Sequence, residues 1–182
     1  MIKKYQNITE LIKDNLHFKE PLNWQSFFDK ISKAKEKGYL TKDEFVEICN
    51  WKSSRPKRHY LKNSEEVIKE ISKKVLASNS EDEKIELLTS LKGVGIPVAS
   101  AILTLLNPEN YGVIDIRVWQ LLYNYGEVNT NPKGQTLTID NWKTFLILLR
   151  KYATQFNMKV RDIELILFFH HREAQEGNLY SV

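Results

Sequence analysis

One stretch of the sequence decides the fold: residues 87–103 read LLTSLKGVGIPVASAIL. Apolar residues at helical spacing flank the short segment LKGVG at 91–95, so we predict a helix, a tight turn and a second helix. Gly93 and Gly95 permit backbone angles closed to other residues, and they leave no side chain to block a close approach. Pro97 suits the first turn of the second helix, because that position needs no N–H donor.

The predicted turn is suited to binding a phosphate group. Its successive N–H groups, from Lys92 through Gly93, Val94 and Gly95, are expected to point outward beside the positive end of the second helix. The side chain of Lys92 adds a mobile positive charge. The alternative is a plain corner between two helices, in which a glycine only ends the first helix.

The same stretch leads on to an aspartate at the start of a further helix. Residues 111–122 read YGVIDIRVWQLL, which predicts a short extended segment at 111–114, then Asp115, then a helix. Asp115 is a good helix N-cap, a role worth roughly 1 kcal/mol. Arg117, within one turn of it, is expected to contact a phosphate or to pair with that carboxylate, unless it is an ordinary surface arginine.

Helical periodicity extends over almost all of the remaining chain. The patterns that begin at Thr41 and Ser80 predict capping boxes, and Gly38 is the expected end of a helix. Residues 165–169 are apolar on every helical face, so the helix that begins near Val160 should lie in the middle of the protein. We predict an all-α bundle of about nine helices. Five are expected over residues 9–16, 24–37, 98–106, 115–126 and 140–156, and four more are expected to begin near residues 41, 64, 80 and 160. Loops are expected over residues 53–62 and 129–138, and the second loop is predicted to be flexible.

Length and cysteine content exclude several classes of protein. The 182 residues favour one helical domain (1–182); the alternative is a division into a basic lobe (1–79) and a lobe with the turn and the aspartate (80–182). A single cysteine, Cys49, excludes an internal disulfide, a cysteine-ligated zinc site and an iron–sulfur cluster, and is expected to be a small core residue. His170 and His171 are adjacent on a helix and point about 100° apart, so we predict one packed, one partly exposed, and no metal site.

The chain shows neither a membrane-spanning apolar run nor a signal peptide, and we expect a cytoplasmic monomer without a cofactor. The charge is unevenly placed, with a net +6 over residues 1–79 and −2 over residues 80–182. Residues 51–62 hold five basic residues and no acidic one: Lys52, Arg55, Lys57, Arg58 and Lys62. Such a patch suits a polyanion such as double-stranded DNA, although a solvated basic loop is the simpler interpretation.

Together, the GVGIPVA segment at 93–99 and the DIRVW segment at 115–119 resemble the helix-hairpin-helix DNA glycosylase superfamily. The likeness covers roughly residues 85–125 and is greatest to the 8-oxoguanine glycosylase branch. It implies base-excision repair chemistry on double-stranded DNA, with Asp115 as the catalytic carboxylate. In bifunctional members a lysine of the second hairpin helix attacks the sugar; Pro97 stands at that position here. The resemblance therefore implies a monofunctional glycosylase without lysine-type lyase activity.

The chemistry implied by this resemblance can be assigned to residues. Cleavage of an N-glycosidic bond builds positive charge on the sugar, which the carboxylate of Asp115 would stabilise. The hairpin and the basic residues Arg55, Lys57 and Arg58 would hold phosphates, and the base would enter a pocket for which Trp51 is the candidate. Two alternatives remain: a non-catalytic DNA-binding or adaptor protein in which Asp115 only caps a helix, and a helical interaction domain that binds no nucleic acid.

Overall fold

The computed structural model describes residues 5–174, apart from the side chain of Asn23. Over these residues the protein consists of ten helices and no strand, so the predicted all-α class is confirmed. The helices are α1 (Ile8–Asp14), α2 (Leu22–Lys37), α3 (Lys42–Lys52), α4 (Lys57–Tyr60), α5 (Glu65–Ala77), α6 (Glu81–Thr89), α7 (Ile96–Leu106), α8 (Ile116–Asn124), α9 (Ile139–Phe156) and α10 (Val160–Ala174).

Local signals in the sequence set most helix ends. Gly38 ends α2 in the left-handed conformation with φ +80°, and Thr41 opens α3 with the complete capping box. At α6 the predicted box is only half formed. Ser80 accepts a hydrogen bond from the Glu83 N–H, but the Glu83 carboxylate accepts one from the Ser78 hydroxyl instead of closing the box.

The prediction of an irregular loop over residues 53–62 was wrong for part of its length. Residues 57–60 form the short helix α4, which Pro56 precedes. The helix is anchored by Tyr60, whose ring is fully buried and whose hydroxyl donates to the carbonyl of Ser53 over 3.2 Å. Burial of one aromatic ring therefore folds a segment whose other residues are mostly basic and exposed.

Helix α10 is buried around most of its circumference, as its apolar sequence predicts. It packs against α1, α8 and α9, while α7 packs against α2, α3, α6 and α9. His171 is buried and His170 is half-buried, and Cys49 is a core residue, as predicted. Within the described part of the chain, no helix combines the length and the hydropathy needed to cross a lipid bilayer.

Candidate functional site

A cleft of about 940 Å³ lies where the glycine turn at 91–95 and the segment around Asp115 meet the basic segment 51–62. Its walls come from the end of α3, the turn between α6 and α7, the start of α8, loop residues 134–137 and one side of α10. Six of the predicted site residues line it: Trp51, Arg55, Gly93, Gly95, Asp115 and Arg117. These residues come from three separate parts of the sequence.

The extended segment 111–115 places Asp115 in this cleft. The N–H of Ile114 donates to the Ser100 hydroxyl on α7 over 3.1 Å, and the N–H of Val113 donates to a carboxylate oxygen of Glu164 on α10 over 3.4 Å. A Cβ added to Gly112 would lie 3.0 Å from the Cβ of Glu164, so the absence of a side chain at Gly112 allows the backbone to approach α10 this closely. The position of Asp115 is therefore fixed from two sides.

Among the described residues, the carboxylate of Asp115 has two partners. Its Oδ1 accepts a hydrogen bond from the Val118 N–H over 3.1 Å, which confirms the predicted N-cap of α8. Its Oδ2 pairs with Nζ of Lys52, also at 3.1 Å, and both side chains keep limited solvent access, 17% for Asp115 and 16% for Lys52. The capping contact leaves the second carboxylate oxygen directed towards a cation of the cleft wall.

Behind this pair lies a buried ionic network on α10. Arg161, whose side chain is 3% exposed, pairs with Glu164 one turn further on and with Glu20 at 2.8 Å. Burial raises the pKa of Glu164 to about 7; the positive charge of Arg161 opposes that rise, and the negative charge of Asp115 adds to it. The negative charge of Asp115 therefore acts on the pKa of a buried carboxyl group, that of Glu164.

Aromatic rings form the wall beside these charges. Trp51 and Trp24 meet edge to face with ring centroids 5.6 Å apart, and the guanidinium of Arg161 lies 5.6 Å from each ring. Phe168 also lines the cleft, with the Arg117 guanidinium 5.8 Å from its ring. A flat apolar ligand entering here would meet aromatic faces close to a carboxylate.

The turn between α6 and α7 is fixed by Asn63. This buried side chain accepts the Lys92 N–H over 2.9 Å and donates to the Lys92 carbonyl over 3.1 Å. Among the described residues, the N–H groups of Gly93, Gly95 and Ile96 find no acceptor, whereas those of Lys92 and Val94 are both bonded. The N–H donors left for an anion therefore come from the two glycines and the start of α7.

The remaining predicted DNA contacts lie outside the cleft wall. The side chains of Lys57, Arg58 and Lys92 are exposed, whereas that of Val94 is buried in the core. The loop 129–138, predicted as flexible, is held against α8, because the indole N–H of Trp119 donates to the carbonyl of Asn131 over 2.9 Å. This attachment brings loop residues 134–137 into the cleft wall.

Several residues of the site were not assigned to it from the sequence. They are Arg161, Glu164 and Phe168, together with Lys52, which was counted only in the basic segment 51–62, and Trp24, which was only one of several aromatic residues available for a pocket. The sequence does carry one signal for two of them: Arg161 and Glu164 stand three residues apart, directly before the apolar run 165–169 of the same helix. Buried charges require partners, so an ionic pair on a central helix indicates a specific site or a specific contact.

Gly93 offers a direct test of the close packing of the turn. Its φ is +88°, and an added Cβ would lie 2.9 Å from the Cβ of His59 and 3.0 Å from the ring of Tyr60. Gly38 is a matched control, because its φ is +80° and nothing lies within 4 Å of its added Cβ. We expect Gly38→Ala to lower the free energy of unfolding by about 1–2 kcal/mol, the cost of the left-handed conformation.

We expect Gly93→Ala to lower the free energy of unfolding by more than Gly38→Ala does. Unlike the control, Gly93→Ala should also weaken binding of duplex DNA. Urea unfolding and fluorescence anisotropy with a labelled duplex measure the two effects. Equal behaviour of the two variants in both measurements would show that the approach of α4 to the turn is unimportant.

Comparisons of this chain with protein-family models, with curated proteins and with solved structures found no match.

Proposed function

We propose that this protein is a DNA N-glycosylase of the helix-hairpin-helix superfamily, which hydrolyses the bond between deoxyribose and a damaged or modified base. The observation that carries the proposal is the placement of Asp115. Its carboxylate shares one cleft with the glycine turn, Arg55, Arg117 and an aromatic wall. These are the groups needed for a reacting sugar, its flanking phosphate and an extruded base.

The carboxylate has a defined part in this reaction. As the N-glycosidic bond lengthens, positive charge develops at C1′ of the sugar, and a fixed negative charge close by lowers the energy of that state. Asp115 also orients a water molecule, whose oxygen bonds to C1′ while a proton passes to the departing base. Because the Val118 N–H fixes one carboxylate oxygen, the group is preorganised for this task.

The turn and the basic side chains hold the DNA in this proposal. The N–H groups of Gly93, Gly95 and Ile96 bind a phosphate next to the reacting nucleotide, with Arg55 and Arg117 adding positive charge at the cleft. The exposed residues Lys57, Arg58 and Lys92 bind phosphates further away. The extruded base stacks against Trp51, Trp24 or Phe168.

A second candidate function is supported by the partners of Asp115. One carboxylate oxygen caps α8 and the other pairs with Lys52, so both oxygens have a structural task. A helix-hairpin-helix protein that only binds DNA would need nothing more from this residue.

Single-turnover release of bases tests the proposal. Duplexes that contain uracil, 8-oxoguanine, an alkylated purine or hypoxanthine are incubated with excess protein, and hot alkali then cuts every abasic site. We expect release from one of these duplexes. Steeply salt-dependent binding without release would favour the binding protein, since phosphate contacts displace counterions. Absence of salt-dependent binding would contradict both candidates and favour a helical interaction domain.

A further inference from the structure

An amine lies beside the candidate catalytic carboxylate. Lys52 is the last residue of α3, and its Nζ donates a hydrogen bond to Oδ2 of Asp115 over 3.1 Å. It is the only lysine among the described residues that line the cleft. Its side chain keeps 16% of its solvent access, so the amine is neither sealed in the core nor free on the surface.

The product of the proposed hydrolysis is a partner for such an amine. Loss of the base leaves a deoxyribose whose C1′ equilibrates between a ring form and an open-chain aldehyde. Primary amines condense with aldehydes to imines, which is a recurring use of lysine in enzymes. We propose that Lys52 forms an imine with C1′ of the abasic site and that the protein thereby cuts the DNA strand. This inference rests on the proposed glycosylase function.

The geometry supplies a path for the protons. Oδ2 of Asp115 takes a proton from Nζ of Lys52, and the freed electron pair of Nζ bonds to the aldehyde carbon. The resulting alcohol leaves as water with a returned proton, which gives the protonated imine. Because this cation draws electrons from the sugar, a base removes a proton from C2′, the C3′–O bond breaks and the 3′ phosphate leaves. Water then hydrolyses the imine and restores Lys52.

This activity differs from the expectation based on the hairpin. Pro97 provides no amine at the hairpin position, and for that reason no lyase step was predicted. The structure brings an amine to the same carboxylate from a different helix, 63 residues earlier in the chain. Position in space, rather than position in the motif, decides whether the chemistry is available.

Reductive trapping on a preformed abasic site tests the inference without any knowledge of the target base. A duplex with one abasic site is incubated with the protein and sodium borohydride, which reduces the imine to a stable covalent bond. We expect a protein–DNA adduct with the wild type, located at Lys52 by peptide mass spectrometry. Without borohydride, we expect strand cleavage that needs no alkali.

Two variants of Lys52 separate chemistry from structure. Lys52→Gln removes both the amine and the ion pair, whereas Lys52→Arg keeps a cation beside Asp115 but provides no primary amine. We expect both variants to lose the adduct. Lys37→Gln is the matched control, because Lys37 also lies in the last turn of a helix and pairs with a carboxylate, that of Glu44 at 2.8 Å. Lys37→Gln should form the borohydride-reduced adduct with the abasic duplex to the same extent as the wild type.

The outcomes distinguish this inference from the function on which it rests. An adduct that persists in Lys52→Arg, or that maps to another residue, overturns the assignment. Base release without any adduct overturns the inference and leaves the glycosylase proposal in place. Absence of both base release and adduct overturns both.

Discussion

Asp115→Asn is expected to slow single-turnover base release by about 10²–10⁴-fold, the range typical for loss of a positioned acid or base. Asparagine caps helices about as well as aspartate, so α8 should keep its N-cap on the Val118 N–H. The substitution therefore removes the negative charge while preserving the local structure. Affinity for the duplex should remain, because the predicted phosphate contacts are made by other residues.

The measurement is the rate of base release at saturating protein, together with the dissociation constant of the duplex. Asp82→Asn is the matched control: Asp82 also lies at the start of a helix and pairs with a lysine, Lys143, at 2.8 Å, but it is not part of the cleft wall. If Asp115→Asn released the base at the rate of this control, the role of Asp115 would be limited to capping α8. The DNA-binding protein without catalysis would then be the better description.

Arg161→Met is expected to lower the free energy of unfolding by about 3–5 kcal/mol, the usual cost of removing one partner of a buried ion pair. The guanidinium of Arg161 pairs with Glu164 and Glu20 and lies between the rings of Trp24, Phe28 and Trp51. Without it, the buried carboxylate of Glu164 loses its counter-charge.

Urea unfolding of three variants identifies the cause of this loss. Arg150→Met removes a partly exposed pair with Glu81 and should cost about 1 kcal/mol or less. The double variant Arg161→Met/Glu164→Leu removes the stranded carboxylate and should recover part of the lost stability. If the double variant were less stable than Arg161→Met, the hydrogen bond that Glu164 accepts from the N–H of Val113 would outweigh the cost of leaving its carboxylate unpaired.

Asp115 and Arg161 are linked through Glu164 and the backbone of the segment before Asp115. Glu164 accepts a hydrogen bond from the N–H of Val113, two residues before Asp115. The ionic network on α10 therefore supports the segment that carries the candidate catalytic group. For this reason, a variant of Arg161 that still folds should also be assayed for base release, and we expect its activity to fall with its stability.

Local chemistry made much of the fold predictable. Gly38, Thr41, Ser64 and Asp115 each act within four residues of their own position, through a left-handed backbone or a hydrogen bond to a nearby N–H. The helix–turn–helix at residues 87–103 was equally readable, because its apolar spacing and its glycines are properties of consecutive residues. One error arose where a contact with the core decided the result: Tyr60 folds α4 by burying its ring. Another arose from a competing local partner, because Ser78, five residues before Glu83, donates a hydrogen bond to its carboxylate.

Patterns among neighbouring residues were sufficient to predict the all-α class, most helix ends, the glycine turn and the aspartate at the start of α8. The surroundings of that aspartate could not be predicted in this way. Lys52 meets Asp115 across 63 residues, and Arg161 meets Glu20 across 141. Helix signals depend on neighbours within one or two turns, which the sequence displays directly. Contacts between distant side chains depend on how the helices pack, and no periodicity along one chain encodes that arrangement.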